Sequence, residues 1–289
     1  MSLELSMRTV YVNGEFVLEK DAKVSIFDRA FLFADAVYEV TSVLNGKLVD
    51  FDNHMKRLHR SMKELNFGTK IKEKEFLEFH RKLVSLNKIN EGIVYLQVSR
   101  GVAERDFAFP PSDTELTITA FTQKKKLIDN KTAKEGITII TVDDLRWKRC
   151  DIKTIQLLYP SIAKTEAMKK GADDAWMTQN GYIMEGTSNN AWIIKGKTIY
   201  TREADNLILS GITRRAVIEV AMKLNYKIIH KQFTVQEAEN ADEAFITSAT
   251  AFVTPVVKIN NTRISKEKPG IFTQSLREAC IQQALATLK

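Results

Sequence analysis

Hydrophobic and polar positions follow two periods along this chain, and they mark its elements. Alternation at a period of two predicts strands over residues 9–12 and 15–17, joined at Asn13-Gly14, and over 39–44 and 48–50, joined at Asn45-Gly46. Asn-Gly accepts the left-handed backbone that a tight hairpin turn needs. A helical period follows: Leu58, Met62 and Leu65 share one stripe of a helix that Asp52 or Asn53 can cap. Residues 73–86 predict a second amphipathic helix. Strands over 93–100 and 116–121 flank a loop through Phe107-Ala108-Phe109-Pro110-Pro111.

Residues 124–134 are polar and basic with no apolar period, which marks a linker between a domain of residues 1–123 and one of residues 135–289. The second part alternates more regularly. Strands are expected over 136–142, 174–178, 182–184, 191–194, 198–200, 243–247 and 254–259, with hairpins about Asn180-Gly181 and Gly196. The segment after Lys153 is expected to be a helix to Lys170, interrupted at Pro160 and stopped by Gly171. Further helices are expected over 213–224, after the capping box Thr234-Val235-Gln236-Glu237, and over 274–288. The fold class expected is α+β or α/β in two domains.

Composition narrows the function classes. The 289 residues suit one large or two medium domains, and 44% hydrophobic with 27% charged residues is an ordinary globular balance. No apolar run has the length to span a bilayer. Met1-Ser2-Leu3-Glu4-Leu5-Ser6 has neither a basic nor an apolar signal region, so a cytoplasmic location is expected. Cys150 and Cys280 form no framework, which fits a reducing compartment. His54, His59, His80 and His230 lack a ligand spacing, so no metal is expected. The net charge of +7 is spread along the chain; runs such as Lys124-Lys125-Lys126 lack aromatic company and read as solvated faces, not a nucleic-acid surface.

The candidate chemistry centres on Arg146-Trp147-Lys148-Arg149-Cys150-Asp151-Ile152-Lys153. Lys153 is read as forming a Schiff base with pyridoxal phosphate. Only an unprotonated ε-amine can do so, and neighbouring cations favour that form; Arg146 and Arg149 are read as supplying the positive field. Pyridoxal phosphate also needs an acid for its ring nitrogen and a cup of donors for its phosphate. Glu185, followed by Gly186-Thr187-Ser188-Asn189-Asn190, is the candidate acid. Ser210-Gly211-Ile212-Thr213 opens a helix whose N–H groups can face an anion, Thr247-Ser248-Ala249-Thr250 can close the cup, and Arg57 can add a guanidinium. Singly, each has a plainer reading as a surface lysine, a turn, a helix cap or a surface arginine. A basic binding protein in which all of them are structural is the competing class.

Taken in order, these stretches resemble the class IV aminotransferases of pyridoxal-phosphate fold type IV, and within that family the D-amino acid aminotransferases. The matching segments also include Phe33-Ala34-Asp35-Ala36-Val37-Tyr38-Glu39-Val40, His54-Met55-Lys56-Arg57-Leu58, and Gln97-Val98-Ser99-Arg100-Gly101 with Arg105, and together they span about residues 8–265. The resemblance implies a smaller N-terminal α/β domain and a larger C-terminal pseudo-barrel domain. It implies that Lys153 is the Schiff-base lysine and proton shuttle, that Glu185 pairs with the pyridine nitrogen, and that Leu209 packs under the ring. Arg57, Gly211, Ile212, Thr213 and Ser248 would hold the phosphate, Ala249 would offer only its backbone N–H, and Ser188 and Asn189 would border the cofactor. A homodimer is implied, with the active site at the domain boundary completed by a loop from the other subunit.

For the substrate, the resemblance implies that Tyr38 and Arg105 hold the carboxylate. Where D-amino acid relatives have a histidine two residues after the arginine, this chain has Phe107, so one carboxylate partner is lost. A hydrogen bond to a charged group is worth about 1.5–3 kcal/mol, roughly ten- to a hundred-fold in binding. Asp106 would repel a carboxylate if it faced the pocket. The expected reaction moves an amino group from a D-amino acid to a 2-oxo acid. The alternatives are an L-branched-chain amino acid, against which Val37-Tyr38-Glu39-Val40-Thr41 and Tyr95-Leu96-Gln97-Val98 speak, an (R)-amine, and an aminodeoxychorismate-lyase-like reaction.

Overall fold

A computed structural model describes residues 8–68, 71–264 and 269–289. Residues 1–6, read above for a signal region, and position 265 lie outside the described residues. The chain divides into two compact units, with segments of each interleaved in sequence. One takes the chain up to Lys125, then Ile152–Gln156 and Thr287–Lys289; the other takes Lys126–Asp151 and Leu157–Ala286.

The first unit carries β1 (Thr9–Val12), β2 (Glu15–Leu18), α1 (Arg29–Phe33), β3 (Ala36–Leu44), β4 (Lys47–Leu48), α2 (Phe51–Glu64), α3 (Glu73–Leu86), β5 (Gly92–Ser99) and β6 (Thr117–Lys124). Among the described residues, its six strands form one antiparallel sheet in the order β2-β1-β6-β5-β3-β4. The Asn-Gly turns form as the sequence predicts, with Asn13 and Asn45 at φ 47° and 52°. Leu58 and Met62 of α2 and Phe76 and Leu83 of α3 pack on Val37, Val94 and Leu96 of the sheet, and Ile152 joins the same core. Helix α2 starts one residue before Asp52, the earlier of the two capping candidates. Phe51 is buried at its first position, the cap is Asp50 in a left-handed conformation, and the Asn53 amide donates to the Asp50 side chain at 2.6 Å.

The second unit carries α4 (Lys131–Glu135), β7 (Ile137–Asp143), α5 (Leu158–Lys169), β8 (Asp174–Gln179), β9 (Tyr182–Gly186), β10 (Asn190–Lys195), β11 (Thr198–Thr201), α6 (Ile212–Lys223), β12 (Lys227–His230), α7 (Val235–Glu239), β13 (Glu243–Ser248), β14 (Phe252–Ile259), β15 (Thr262–Arg263) and α8 (Ile271–Ala286). Among the described residues, nine strands form a mixed sheet, β12-β11-β10-β13-β14-β7-β8-β9 with β15 beside β14. Strand β10 is buried on both faces, as a continuous apolar run requires. Ala191 and Ile193 pack with Trp176 and Phe233, while Trp192 and Ile194 face Val217 of α6 and Leu276 of α8. The capping box at Thr234 forms in full. The helix expected directly after Lys153 does not: α5 begins at Leu158, because Thr154 pairs as an extended residue with Val37. Pro160 sits in the first turn of α5, where its missing N–H has no partner to lose, so it does not interrupt the helix.

Candidate active site

In the first unit, the site is built on β3, α2 and the inserted segment around Lys153. That segment lies along β3 as a short added strand: the Tyr38 N–H donates to Lys153 O at 3.0 Å, and the Ile155 N–H to Ala36 O at 3.2 Å. The Lys153 N–H points to Ser61 Oγ of α2, at 3.3 Å. These bonds hold the half-buried Lys153 with its Nζ 4.1 Å from the centroid of the Tyr38 ring. Tyr38 in turn stacks on Tyr95 at 5.5 Å.

The neighbouring residue on β3, Glu39, faces the other side of the strand and is fully buried. Its carboxylate accepts from Arg57 Nε and Nη2, at 2.8 and 2.7 Å, and lies 2.7 Å from His54 Nδ1. Burial works to raise the Glu39 carboxyl, but Arg57 and His54 overcome it and hold it down at about 2. One edge of the Arg57 guanidinium is therefore fixed by Glu39, a partner that the spacing from β3 to α2 does not announce.

Arg105 and Phe107 stand on the exposed loop between β5 and β6. The Arg105 guanidinium lies over the rings of Phe33 and Phe107, at 5.5 and 5.6 Å, so Arg105 and Tyr38 have different neighbours. Phe107 is 80% exposed. Asp106 turns back on its own loop, where its Oδ1 accepts from the Ala108 N–H at 3.0 Å.

In the second unit, Glu185 ends the β8–β9 hairpin and is 4% exposed. Its Oε1 accepts from Arg146 Nη1 at 2.6 Å, its Oε2 from Asn190 Nδ2 at 3.0 Å, and both oxygens are 3.2 Å from the Leu209 N–H. Burial raises the Glu185 carboxyl above the ordinary glutamate range, and Arg146 pulls against it. Asn190 also donates to Leu209 O at 2.8 Å. A Cβ at Gly211 would collide with Asn190 Oδ1. In register, Asn190 faces Thr247 on β13, one residue before Ser248. Asn190 thus gathers Glu185, Leu209, Gly211 and the end of β13 into one neighbourhood. Gly211 precedes α6 with no side-chain cap, so the first N–H groups of this twelve-residue helix meet no capping side chain. Ser248 Oγ accepts from the Ala251 N–H at 3.1 Å. Asn189 is held away from Glu185, donating to Asp174 Oδ2 at 2.7 Å, and Ser188 is exposed.

Two expectations about cations are corrected. The sequence makes Arg146 and Arg149 a field for Lys153. Instead, Arg146 bridges Asp144 and Glu185, and Arg149 pairs with Asp151 at 3.0 Å. The largely buried Arg146 needs carboxylates for the same reason that buried carboxylates need cations, whereas Arg149 is more exposed and pairs with a buried Asp151. Asn190 and the Arg146–Glu185 pair are not singled out by the sequence. The signal available for Asn190 is its place beside Asn189 at a strand start, where neighbours face opposite sides.

The family model described as "Amino-transferase class IV" matches residues 36–259. The chain is 40% identical over 273 residues to D-alanine aminotransferase of Staphylococcus aureus (strain N315), covering 94% of this chain and 96% of that one. To D-alanine aminotransferase of Bacillus licheniformis it is 38% identical, covering 93% and 95%. The fold superimposes on the T.th. branched-chain amino acid aminotransferase with pyridoxamine 5'-phosphate at a TM-score of 0.87 and 25% identity, covering 98% of each chain.

Proposed function

The chain belongs to the class IV aminotransferases, and from that premise we propose that it is a pyridoxal-phosphate enzyme that moves the amino group of a D-amino acid to a 2-oxo acid. The observation that carries the cofactor reading is Glu185: a buried carboxylate with three fixed donors, beside an uncapped helix start that an L-residue at Gly211 would crowd. A charged, acceptor-rich cofactor with a basic ring nitrogen suits those groups. The D-amino acid reading rests on the D-alanine aminotransferases at 38–40% identity. The branched-chain aminotransferase is the second reading, at 25% identity.

Bound pyridoxal phosphate supplies an aldehyde for amine exchange and a protonated ring that draws electrons from the substrate. Lys153 Nζ is the base that takes the proton from the substrate Cα and later returns a proton. Glu185, kept in place by Arg146 and Asn190, keeps a proton on the ring nitrogen. The N–H groups after Gly211, with Ile212, Thr213, Ser248 and Ala249, would hold the phosphate, to which Arg57 would add its guanidinium, its direction fixed by Glu39. Leu209 would pack against the ring, and Ser188 and Asn189, whose amide is spent on Asp174, would border the cofactor only through their backbone. Tyr38 and Arg105 take the carboxylate, and Phe107 is an apolar wall.

We further propose a cytoplasmic homodimer in which the Arg105–Phe107 loop completes the site of a second copy. Exposed Phe31, Phe107 and Phe109 supply apolar surface for such a contact. The thiols Cys150 and Cys280 are free, as in a reducing compartment. Among the described residues no helix is long and apolar enough to cross a membrane.

The test is amino transfer to 2-oxoglutarate from D-alanine and from L-leucine in parallel. We expect transfer from D-alanine, abolished in Lys153→Ala, and at least about a hundred-fold less from L-leucine, as a site built to bind one set of polar groups discriminates. Transfer from L-leucine alone would overturn the D-amino acid reading.

A further inference from the structure

The loop that carries Arg105 is held by more than its own side chains. It is gripped from below by two buried arginines. Arg29, on α1, is 2% exposed and donates Nη1 to Asp106 O at 2.8 Å and to Ala108 O at 3.3 Å, the two carbonyls that flank Phe107. Its Nε donates to Asp35 Oδ2 at 2.7 Å. Arg100, at the start of the same loop and 5% exposed, shares that carboxylate through Nε at 2.7 Å and Nη2 at 3.1 Å. The Phe109 ring lies over both guanidinium groups, 3.8 Å from Arg100 and 5.7 Å from Arg29.

One carboxylate cannot neutralise two buried guanidinium groups. The remaining donors need acceptors, because leaving them unpaired away from water is costly. Backbone carbonyls meet that need: Arg100 also donates to Leu65 O and Asn66 O, and Arg29 draws in the loop carbonyls. The loop backbone is thereby tied to a buried charge cluster and not merely laid on the surface. Phe33, the last residue of the helix that carries Arg29, is also the ring on which Arg105 and Phe107 rest.

We infer that Arg29 is a positioning residue for amino-acid binding: by clamping the carbonyls of Asp106 and Ala108 it fixes the loop in the conformation that presents Arg105. This rests on the reading in which Arg105 takes the substrate carboxylate. A clamp on the main chain sets where Arg105 stands without touching the substrate, so its loss reaches KM through the loop, chiefly through Arg105.

The test uses full-length holoenzyme with Arg29→Lys, which keeps a cation beside Asp35 but lacks the second nitrogen that lets one side chain hold Asp35 and the loop carbonyls at once. We expect KM for D-alanine to rise about ten-fold, with kcat and the cofactor dissociation constant within about two-fold. Arg105→Met should raise KM as well, and the double variant should be no worse than Arg105→Met alone. Effects that multiply, or an unchanged KM in Arg29→Lys while Arg105→Met raises it, would overturn the clamp. An unchanged KM in Arg105→Met would bring down the carboxylate assignment instead. Tryptic cleavage after Arg105 then judges the clamp separately: it should accelerate in Arg29→Lys and in Phe109→Leu, a loop variant that removes the ring over both guanidinium groups but keeps their charges and Asp35. Cleavage at the parent rate in both would overturn it.

Discussion

At the residue scale, the site depends on how buried charges are matched. Glu185 is held by a guanidinium, a side-chain amide and a backbone N–H, and Arg146 is shared with Asp144. Glu185→Gln keeps the bond from Arg146 but turns an acceptor into a donor opposite Asn190 and Leu209. We expect the protein to fold and bind pyridoxal phosphate, with turnover reduced about a hundred-fold or more, the usual scale of a misplaced proton. An unchanged rate would remove Glu185 from its role. Glu39 leads to a pH prediction. Its carboxyl titrates at about 2 when folded against an ordinary 4.5. The unfolded chain takes up a proton below pH 4.5 that the folded chain refuses until about 2, so the stabilisation is complete above that window and is lost as pH falls through it. Denaturant unfolding at stepped pH should therefore show a shallower acid loss in Glu39→Gln than in the parent. Lys153 and Glu185 could be singled out as candidates from the company they keep in sequence. Their partners were not. Arg146 and Glu185 stand 39 positions apart, and no local period links them.

At the element scale, the legible features were those with a local cause. The Asn-Gly hairpins, the α3 boundaries and the capping box of α7 all formed as the sequence predicts. Elements set by distant packing were missed. The five-residue α1, capped by Asp28, has too short a pattern to show a period. The segment after Lys153 reads as helix by composition, yet its backbone is captured by β3. Tertiary hydrogen bonding overrode local preference there, and it placed Lys153 over Tyr38. The start of α6 shows the same coupling. Gly211→Ala should push Asn190 off Glu185 and Leu209 O. We expect the dissociation constant for pyridoxal phosphate to rise about ten-fold with helix content unchanged, on the scale of one charged hydrogen bond. An unaltered constant, measured by titrating the apoenzyme, would separate Gly211 from the cofactor.

At the scale of the whole molecule, the chain passes between its two units several times. Lys153 is carried by a five-residue insertion that belongs to the first unit, between two segments of the second. The mixed α+β character was legible from the alternation of periods, whereas this interleaving was not, because nothing in a local pattern says which sheet a segment will join. Its consequence is that Lys153, the proposed Schiff-base lysine, and the buried Glu185 are folded by different units of one chain. The central claim is that Lys153 carries pyridoxal phosphate. The most direct measurement is borohydride reduction of the cofactor-loaded protein, followed by digestion and mass mapping of the phosphopyridoxyl group. The account predicts the label on the peptide that contains Lys153, and on no other lysine in substantial yield. A label on a different lysine, or none at saturating pyridoxal phosphate, would contradict it.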